Sequence, residues 1–167
     1  MKKLFIYAGL LLSFSISANS YEKPVQEKYC LEFSYCKHVI ASSKKHRLDP
    51  ALTMAVLLHE SIGGKNPNVV GKRVYVSLKY GISGWYRAQG LMQVMPYNFG
   101  EVPPHLWRVP SVNIERGSYL LSRCQKKYGP NFLRTVSCYN MGEYNNKVNY
   151  RYVQAVARHY SILKKRK

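Results

Sequence analysis

Acidic side chains are scarce in this sequence. Its 167 residues include 26 Lys and Arg but 8 Asp and Glu, which gives a formal net charge of +18 at pH 7. Asp49 is the sole aspartate. A surface with this excess of positive charge attracts polyanions, whether nucleic acid, anionic lipid or an acidic wall polymer. The shortage of carboxylates therefore favours a polyanionic partner.

Metal-binding motifs are also lacking. The four cysteines form no CxxC pair, and His59-Glu60 lacks the second histidine of a zinc-binding HExxH helix. We therefore expect no metal and no other cofactor. The sequence contains no internal repeat and no low-complexity segment, and 46% of its residues are hydrophobic. These features predict a single globular domain with one sizeable core.

The apolar run at the N-terminus is too short for a comfortable membrane-spanning helix. Residues 4–14 follow two lysines and precede a small-x-small pattern at 18–20, which is typical of a secretory signal. We predict a signal peptide at 1–20, a leader at 21–28, a catalytic domain at 29–163 and a basic tail at 164–167. An uncleaved membrane anchor is the alternative to a cleaved signal peptide. No cysteine lies near the expected cleavage site, which argues against a lipid-anchored lipoprotein.

Export changes the expected partners. Without its two signal lysines the chain keeps 24 basic and 8 acidic residues, a net charge of +16. We expect a periplasmic or secreted monomer that meets the bacterial envelope, and no nucleic acid partner.

The four cysteines are most simply two disulfides in an oxidising compartment. Four cysteines allow three pairings, and the sequence does not choose among them. The nearest-neighbour pairing, Cys30–Cys36 and Cys124–Cys138, is our preference.

Hydrophobic periodicity predicts a mainly α-helical fold with a small β element in the middle. Val74, Val76 and Leu78 alternate with other residues, as in a strand or hairpin arm. Asp49-Pro50 is typical of a helix start, with Asp as the N-cap and Pro at the first helical position. Helices are expected at 30–43, from residue 50 to the glycines at 63 and 64, at 113–128, at 131–139 and at 150–163, with a short helical piece at 90–97.

Glu60 closes the most apolar of these helices, which should be the central buried one. Desolvation at such a position favours the neutral carboxyl and raises its pKa. A general acid that works near neutral pH needs that shift. An isolated Glu at a helix end would more simply be a hydrogen-bonding group, so the interpretation depends on the segments that follow.

Four motifs occur along the chain in this order: His59-Glu60-Ser61, Gly90-Leu91-Met92-Gln93-Val94-Met95-Pro96, Asn113-Ile114 with Gly117 and Leu120-Leu121, and Cys138-Tyr139-Asn140-Met141-Gly142. Together they resemble the soluble-type (SLT) lytic transglycosylase domain, over about residues 30–160. The resemblance implies a lysozyme-like (goose-type/SLT) single domain. It also implies cleavage of the MurNAc-GlcNAc bond of peptidoglycan glycan strands, with formation of a 1,6-anhydro end.

The resemblance assigns roles to particular residues. Glu60 would be the sole catalytic carboxylate, first as acid and then as base, which departs from the two-carboxylate scheme of most glycosidases. The expected substrate-binding residues are Ser61, Met92, Gln93, Tyr139 and Asn140. The Tyr139 hydroxyl is expected to point at Glu60, and Trp85 or Tyr86 could stack on sugar faces. Glu101, Glu115 and Glu143 remain as alternative second carboxylates.

Two departures from the family pattern predict local differences. Arg87 stands where the family has a glycine, and the nearby Ser83 is displaced by one position. Residues 65–81 lengthen the stretch after Glu60, which indicates an extra hairpin or flap at the cleft edge. The alternatives in function are a hydrolytic goose-type muramidase and a non-catalytic cationic wall-binding module. A secretion, pilus or conjugation machine is a candidate partner by the same resemblance.

Overall fold

The computed structural model describes residues 33–77 and 83–165. The signal and leader predicted at 1–28 lie outside the described residues. Five α-helices and a two-stranded antiparallel sheet make up the described part. In chain order they are α1 (Cys36–His46), α2 (Pro50–Glu60), β1 (Val70–Ser77), β2 (Ser83–Gln89), α3 (Pro110–Tyr128), α4 (Phe132–Met141) and α5 (Tyr150–Lys165). The expected mainly α lysozyme-like fold with a small β element is confirmed.

Helix α2 is the centre of the core, as its composition predicts. Every residue from Ala51 to Leu58 is buried. The Asp49 carboxylate caps the helix by accepting the Ala51 N–H at 2.9 Å, and Pro50 occupies the first helical position. The other helices surround α2, with α5 packed along it and α1, α3 and α4 completing the core. This packing fixes the C-terminal end of α2, where Glu60 is half-buried.

Strands β1 and β2 form the hairpin that the long insertion predicts. Val74 pairs with Tyr86 and Tyr75 pairs with Trp85, with an irregularity in register between Val70 and Arg73. Most β1 side chains are exposed. The hairpin therefore contributes little to the core and stands out as an arm beside the helices.

Several expected boundaries differ from the structure. Residues 30–32 of the helix expected at 30–43 lie outside the described residues. Residues 33–35 form a turn in which the Cys36 N–H donates to the Phe33 carbonyl, and helix α1 runs from Cys36 to His46. The short helix expected at 90–97 is wrong: residues 90–93 form turns and only Pro96–Asn98 is a 3-10 turn. Helix α3 starts earlier, at Pro110. Helix α5 continues through Lys165, so the predicted basic tail is helical in its first two residues.

No helix in the two described ranges has the length and apolar character required to cross a bilayer.

The Cys124–Cys138 disulfide is present and joins α3 to α4. Cys36 is also disulfide-bonded, whereas Cys30, its predicted partner, lies outside the described residues. The bridged cysteines are 14 residues apart in sequence. Closing a loop of that size restricts the unfolded chain and is associated with about 3 kcal/mol of stability.

We expect replacement of Cys124 and Cys138 by serine to lower the free energy of unfolding by about 3 kcal/mol in urea titrations. The control is intact mass after alkylation without reductant, which should show no modified thiol in the wild-type protein. Alkylation of the folded oxidised protein would contradict the two-disulfide interpretation.

Candidate active site

A cleft of about 680 Å³ runs between the hairpin and the helices. Glu60 lies in it at the end of α2, β1 forms one wall, and the start of the loop after α4 forms another. The hairpin arm is therefore part of the cleft edge, as the length of the insertion predicts. Such an open groove suits an extended polymer better than a small enclosed ligand.

Glu60 has the properties of a general acid. Burial raises the pKa of its carboxyl to about 7, and a hydrogen bond from Tyr152 partly opposes that rise. The Tyr152 hydroxyl donates to Glu60 Oε1 at 2.6 Å. Burial also holds the pKa of Tyr152 well above its ordinary value, so its hydroxyl remains a donor throughout the neutral range. The pair gives a carboxyl that is fixed in orientation and able to exchange its proton near pH 7.

We expect Tyr152→Phe to move the alkaline limb of the pH–rate profile to higher pH. The lost hydrogen bond favours the ionised form of Glu60, so its removal raises the pKa of that carboxyl further. The maximal rate should fall about tenfold because the carboxyl is no longer held in one orientation. Tyr160→Phe, which removes a hydroxyl bonded to Asp49, is the matched control. An unchanged pH profile in Tyr152→Phe would contradict this role.

The loop that carries the Gly-Leu-Met-Gln motif is held by close packing against α3. Gly90 has φ +72°, and a Cβ there would lie 2.5 Å from Asn113 Nδ2. A Cβ on Gly117 would lie 2.5 Å from Met92 Sδ. The two glycines therefore let the loop and the helix approach closely. Met92 fills the space between them and is fully buried, so its side chain lies in the core rather than in the cleft.

Asn113 fixes the same loop by hydrogen bonding. Its Nδ2 donates to the carbonyls of Gln89 and Trp107, each at 2.8 Å, and its Oδ1 accepts the Met92 N–H at 2.8 Å. The side chain is completely buried. All three contacts are made to backbone groups, one within the motif and one on each side of it, so Asn113 determines the loop conformation without reaching the cleft.

Gln93 lines the cleft and has φ +47°, which is unusual for a residue with a side chain. Its Nε2 donates to the carbonyls of Gly90 and Val69, at 2.9 Å and 3.2 Å. The amide nitrogen thus ties the motif loop to the segment that leads into β1. Gln93 therefore combines a structural role with a position on the cleft wall.

Tyr139 and Asn140 both line the cleft, while Ser61 does not. The expected contact between Tyr139 and Glu60 is wrong: the Tyr139 hydroxyl donates to the Met92 carbonyl at 2.7 Å, and Tyr152 takes its place at Glu60. Asn140 Oδ1 accepts from Asn149 Nδ2 at 2.8 Å. Ser61 is buried, and its hydroxyl donates to the Leu57 carbonyl at 2.6 Å, so it closes α2 instead of facing the cleft.

The alternative carboxylates lie elsewhere. Glu115 accepts bonds from Lys45 and His46 between α1 and α3, and these contacts hold its pKa below the usual range despite opposing burial. Glu143 pairs with Arg123 at 2.6 Å. Among the residues that the structure describes, Glu60 is the only carboxylate that lines the cleft.

The hairpin aromatics occupy different positions from those expected. Trp85 and Tyr86 are not part of the cleft lining, but their contact partners Tyr75 and Tyr97 are. Trp85 is 59% exposed in β2. Arg87 is exposed in β2 opposite Arg73, and Ser83 lies at the start of the same strand. The departures from the family pattern therefore belong to the hairpin rather than to the surroundings of Glu60.

Sequence reasoning missed Tyr152 and the role of Asn113. Tyr152 belongs to the apolar stripe of α5, and its spacing predicts only that it faces the core. The contact of α5 with α2, which brings its hydroxyl to Glu60, spans 92 residues of sequence. Asn113 gives a weak signal as a polar residue on the inner side of an otherwise apolar helix face.

Comparison with known proteins agrees with this geometry. The profile of the Transglycosylase SLT domain family matches residues 37–162. No curated protein matches the chain. The X-ray structure of an inactive Glu-to-Gln mutant of lytic transglycosylase Slt from Pseudomonas aeruginosa is similar, with a TM-score of 0.56 and 19% identity. The match covers 77% of this chain but 24% of that one, so this chain spans about a quarter of its length. The chain belongs to the Transglycosylase SLT domain family, a family of glycan-cleaving enzymes.

Proposed function

We propose that this protein is an exported lytic transglycosylase that cleaves the β-1,4 bond between MurNAc and GlcNAc in peptidoglycan. The observation that carries the proposal is Glu60: it is the one carboxylate in the described cleft lining, and burial raises its pKa to about 7. A single carboxyl with that pKa can give up a proton and take one back at neutral pH. The family membership of the chain supports the same reaction class.

In the first step the protonated Glu60 donates its proton to the glycosidic oxygen, and the bond from that oxygen to C1 of the muramic residue breaks. Positive charge develops on the muramic ring as the leaving sugar departs with its new hydroxyl. The ionised Glu60 that remains is stabilised by the Tyr152 hydroxyl at 2.6 Å. The carboxylate also lies where it can stabilise the developing positive charge.

In the second step Glu60 acts as a base. It removes the proton from the O6 hydroxyl of the same muramic residue, and O6 forms a bond to C1. The product is a 1,6-anhydro end, Glu60 is protonated again, and no water is consumed. Burial favours this return to the neutral carboxyl, since it raises the pKa of Glu60.

The substrate contacts belong to the same proposal. We assign sugar-binding roles to Gln93, Tyr139 and Asn140, which line the cleft. Amide groups suit the N-acetyl and hydroxyl groups of such sugars, because they both donate and accept hydrogen bonds. Met92 and Ser61 would act indirectly, through the conformation of the motif loop and the end of α2.

The location of the protein follows from its substrate. A wall-cleaving enzyme must be exported, and the basic stretch, apolar run and cleavage pattern at 1–20 support a secretory signal. The positive charge of the chain favours retention on an anionic wall. Action as a monomer, in the service of a secretion, pilus or conjugation machine, is part of the proposal.

Mass spectrometry of muropeptides released from purified peptidoglycan tests the reaction. An anhydro end lacks one water relative to the product of hydrolysis, so the mass of each fragment distinguishes a transglycosylase from a goose-type muramidase. We expect anhydro ends. Hydrolysed ends would assign the muramidase reaction, and wall binding without released fragments would assign a binding module.

A further inference from the structure

A second cavity, of about 530 Å³, adjoins the Glu60–Tyr152 pair. Tyr152 contributes to its wall, whereas Glu60 lines the cleft. The remaining walls come from the end of α2 and the first half of α5. We call this cavity the basic pocket; its other lining residues are His59, Asn149, Arg151, Gln154, Ala155 and Arg158.

The basic pocket has cationic walls and no carboxylate in its lining. Arg151 and Arg158 are seven residues apart on α5, which places them two turns apart on one face at a separation of about 10 Å along the axis. Gln154 and the small Ala155 lie between them. Within residues 33–77 and 83–165, neither arginine forms an ion pair. The pocket therefore presents two guanidinium groups suited to bind a carboxylate.

Two histidines lie in or beside the basic pocket. The ring of His59 lies 6.3 Å from that of His159 and 4.8 Å from that of Tyr152, measured between centroids. Burial, and then the neighbouring His159, lower the pKa of His59. The other charged groups around it are the two pocket arginines and Glu60, its neighbour on α2. The lowered pKa leaves His59 neutral at pH 7, so the positive charge of the basic pocket comes from its two arginines, and a bound anion would offset their mutual repulsion.

The basic pocket and the cleft are connected by two hydrogen-bonded pairs. Glu60 lines the cleft and Tyr152 the pocket, and their contact is 2.6 Å. Asn140 lines the cleft and Asn149 the pocket, and their contact is 2.8 Å. These pairs therefore form a wall that the two spaces share. A substituent on a sugar bound beside Glu60 would lie next to this wall, and the pocket arginines lie on its other side.

We propose that the basic pocket binds a carboxylate of the stem peptide carried by the muramic residue at the cleavage site. This inference rests on the proposed function and defines its substrate more narrowly. The glycan occupies the cleft, and its anionic peptide extends past Asn140 and Asn149 to Arg151 and Arg158. The enzyme then prefers strands whose stem peptides carry free carboxylates.

The test compares two forms of one substrate: peptidoglycan strands with their native stem peptides, and the same strands after conversion of the peptide carboxylates to amides. We expect amidation to lower kcat/KM of the wild-type protein about tenfold, as for loss of charge-assisted hydrogen bonds. Arg151→Gln combined with Arg158→Gln should lower kcat/KM about tenfold on native strands and leave it unchanged on amidated ones. Ala155→Glu places a carboxylate between the arginines. It should likewise lower kcat/KM about tenfold on native strands and leave it unchanged on amidated ones.

The control is Arg108→Gln combined with Lys126→Gln, which removes the same charge from exposed positions outside the basic pocket. We expect it to keep the wild-type sensitivity to amidation. Equal sensitivity in the pocket variants and the control would overturn the inference, as would equal kcat/KM of the wild type on both strands. Failure of the wild type to cleave either strand would instead overturn the proposed function, and this inference with it.

Discussion

Glu60→Gln should reduce peptidoglycan cleavage by at least about 10³-fold, because the variant loses the one carboxyl that lines the cleft among the described residues and could serve as acid and as base. Glutamine has nearly the same shape and retains an oxygen that can accept the Tyr152 hydroxyl, so the cleft and the wall-binding surface should be unchanged. Release of muropeptides from purified peptidoglycan measures the first effect, and co-sedimentation with the wall measures the second.

Stability provides an independent readout for Glu60→Gln. The folded Glu60 carboxyl binds its proton up to about pH 7, whereas an unfolded glutamate releases it near 4.5. Ionisation of Glu60 therefore works against the folded state as the pH rises through this window. Glutamine does not ionise, so at pH 8 the variant should unfold in urea at the same concentration as the wild type or a higher one. A large loss of stability would mean that the inactivity reports unfolding.

Glu143→Gln is the matched control for Glu60→Gln. It makes the same chemical change in a carboxylate that follows α4, pairs with Arg123 and does not line the cleft. We expect it to retain cleavage activity. Inactivity of both variants would point to a two-carboxylate mechanism, and substantial activity in well-folded Glu60→Gln would refute the single-carboxylate mechanism.

Local sequence patterns predicted those features of the fold that depend on interactions between residues close together in the sequence. The Asp49-Pro50 pair fixed the start of α2, because capping and the φ of proline are local effects. The apolar run predicted that α2 is central, since a helix that is apolar all round must be covered. The insertion after Glu60 predicted the hairpin. The prediction of a short helix at 90–97 was wrong, because Gly90 and Gln93 adopt positive φ there and tertiary contacts hold the loop.

Contacts between distant segments could not be predicted from spacing. The replacement of Tyr139 by Tyr152 at Glu60 depends on how α5 crosses α2. Both tyrosines lie near the carboxyl, and burial together with the Glu60 charge raises the pKa of each. The Met92 carbonyl decides which of the two tyrosines bonds to Glu60, because it accepts the hydrogen bond of the Tyr139 hydroxyl. The resemblance thus identified the right segments, while the partner of each polar atom required the packed structure.

The motif loop depends most strongly on Asn113, whose completely buried side chain makes three hydrogen bonds to backbone groups. Replacement by an apolar side chain of similar volume would leave the Met92 N–H and the carbonyls of Gln89 and Trp107 without partners. Each unsatisfied buried group costs about 1–3 kcal/mol. A small domain has only about 5–15 kcal/mol of total stability. The loss of these hydrogen bonds would therefore lower the stability of the whole protein, and the loop that carries Gln93 would be affected first.

We expect Asn113→Leu to lower the free energy of unfolding by about 3–5 kcal/mol, measured by urea titration at pH 6, below the pKa of Glu60. Cleavage activity should fall even under conditions in which the variant is folded, because the displaced loop moves Gln93 and the carbonyl that holds Tyr139. Asn131→Ala is the control: it removes an asparagine whose exposed side chain caps α4 through the Arg134 N–H, a change worth about 1 kcal/mol. If Asn113→Leu cost no more than this cap variant and retained full activity, the motif loop would be held by its glycine packing against α3 alone.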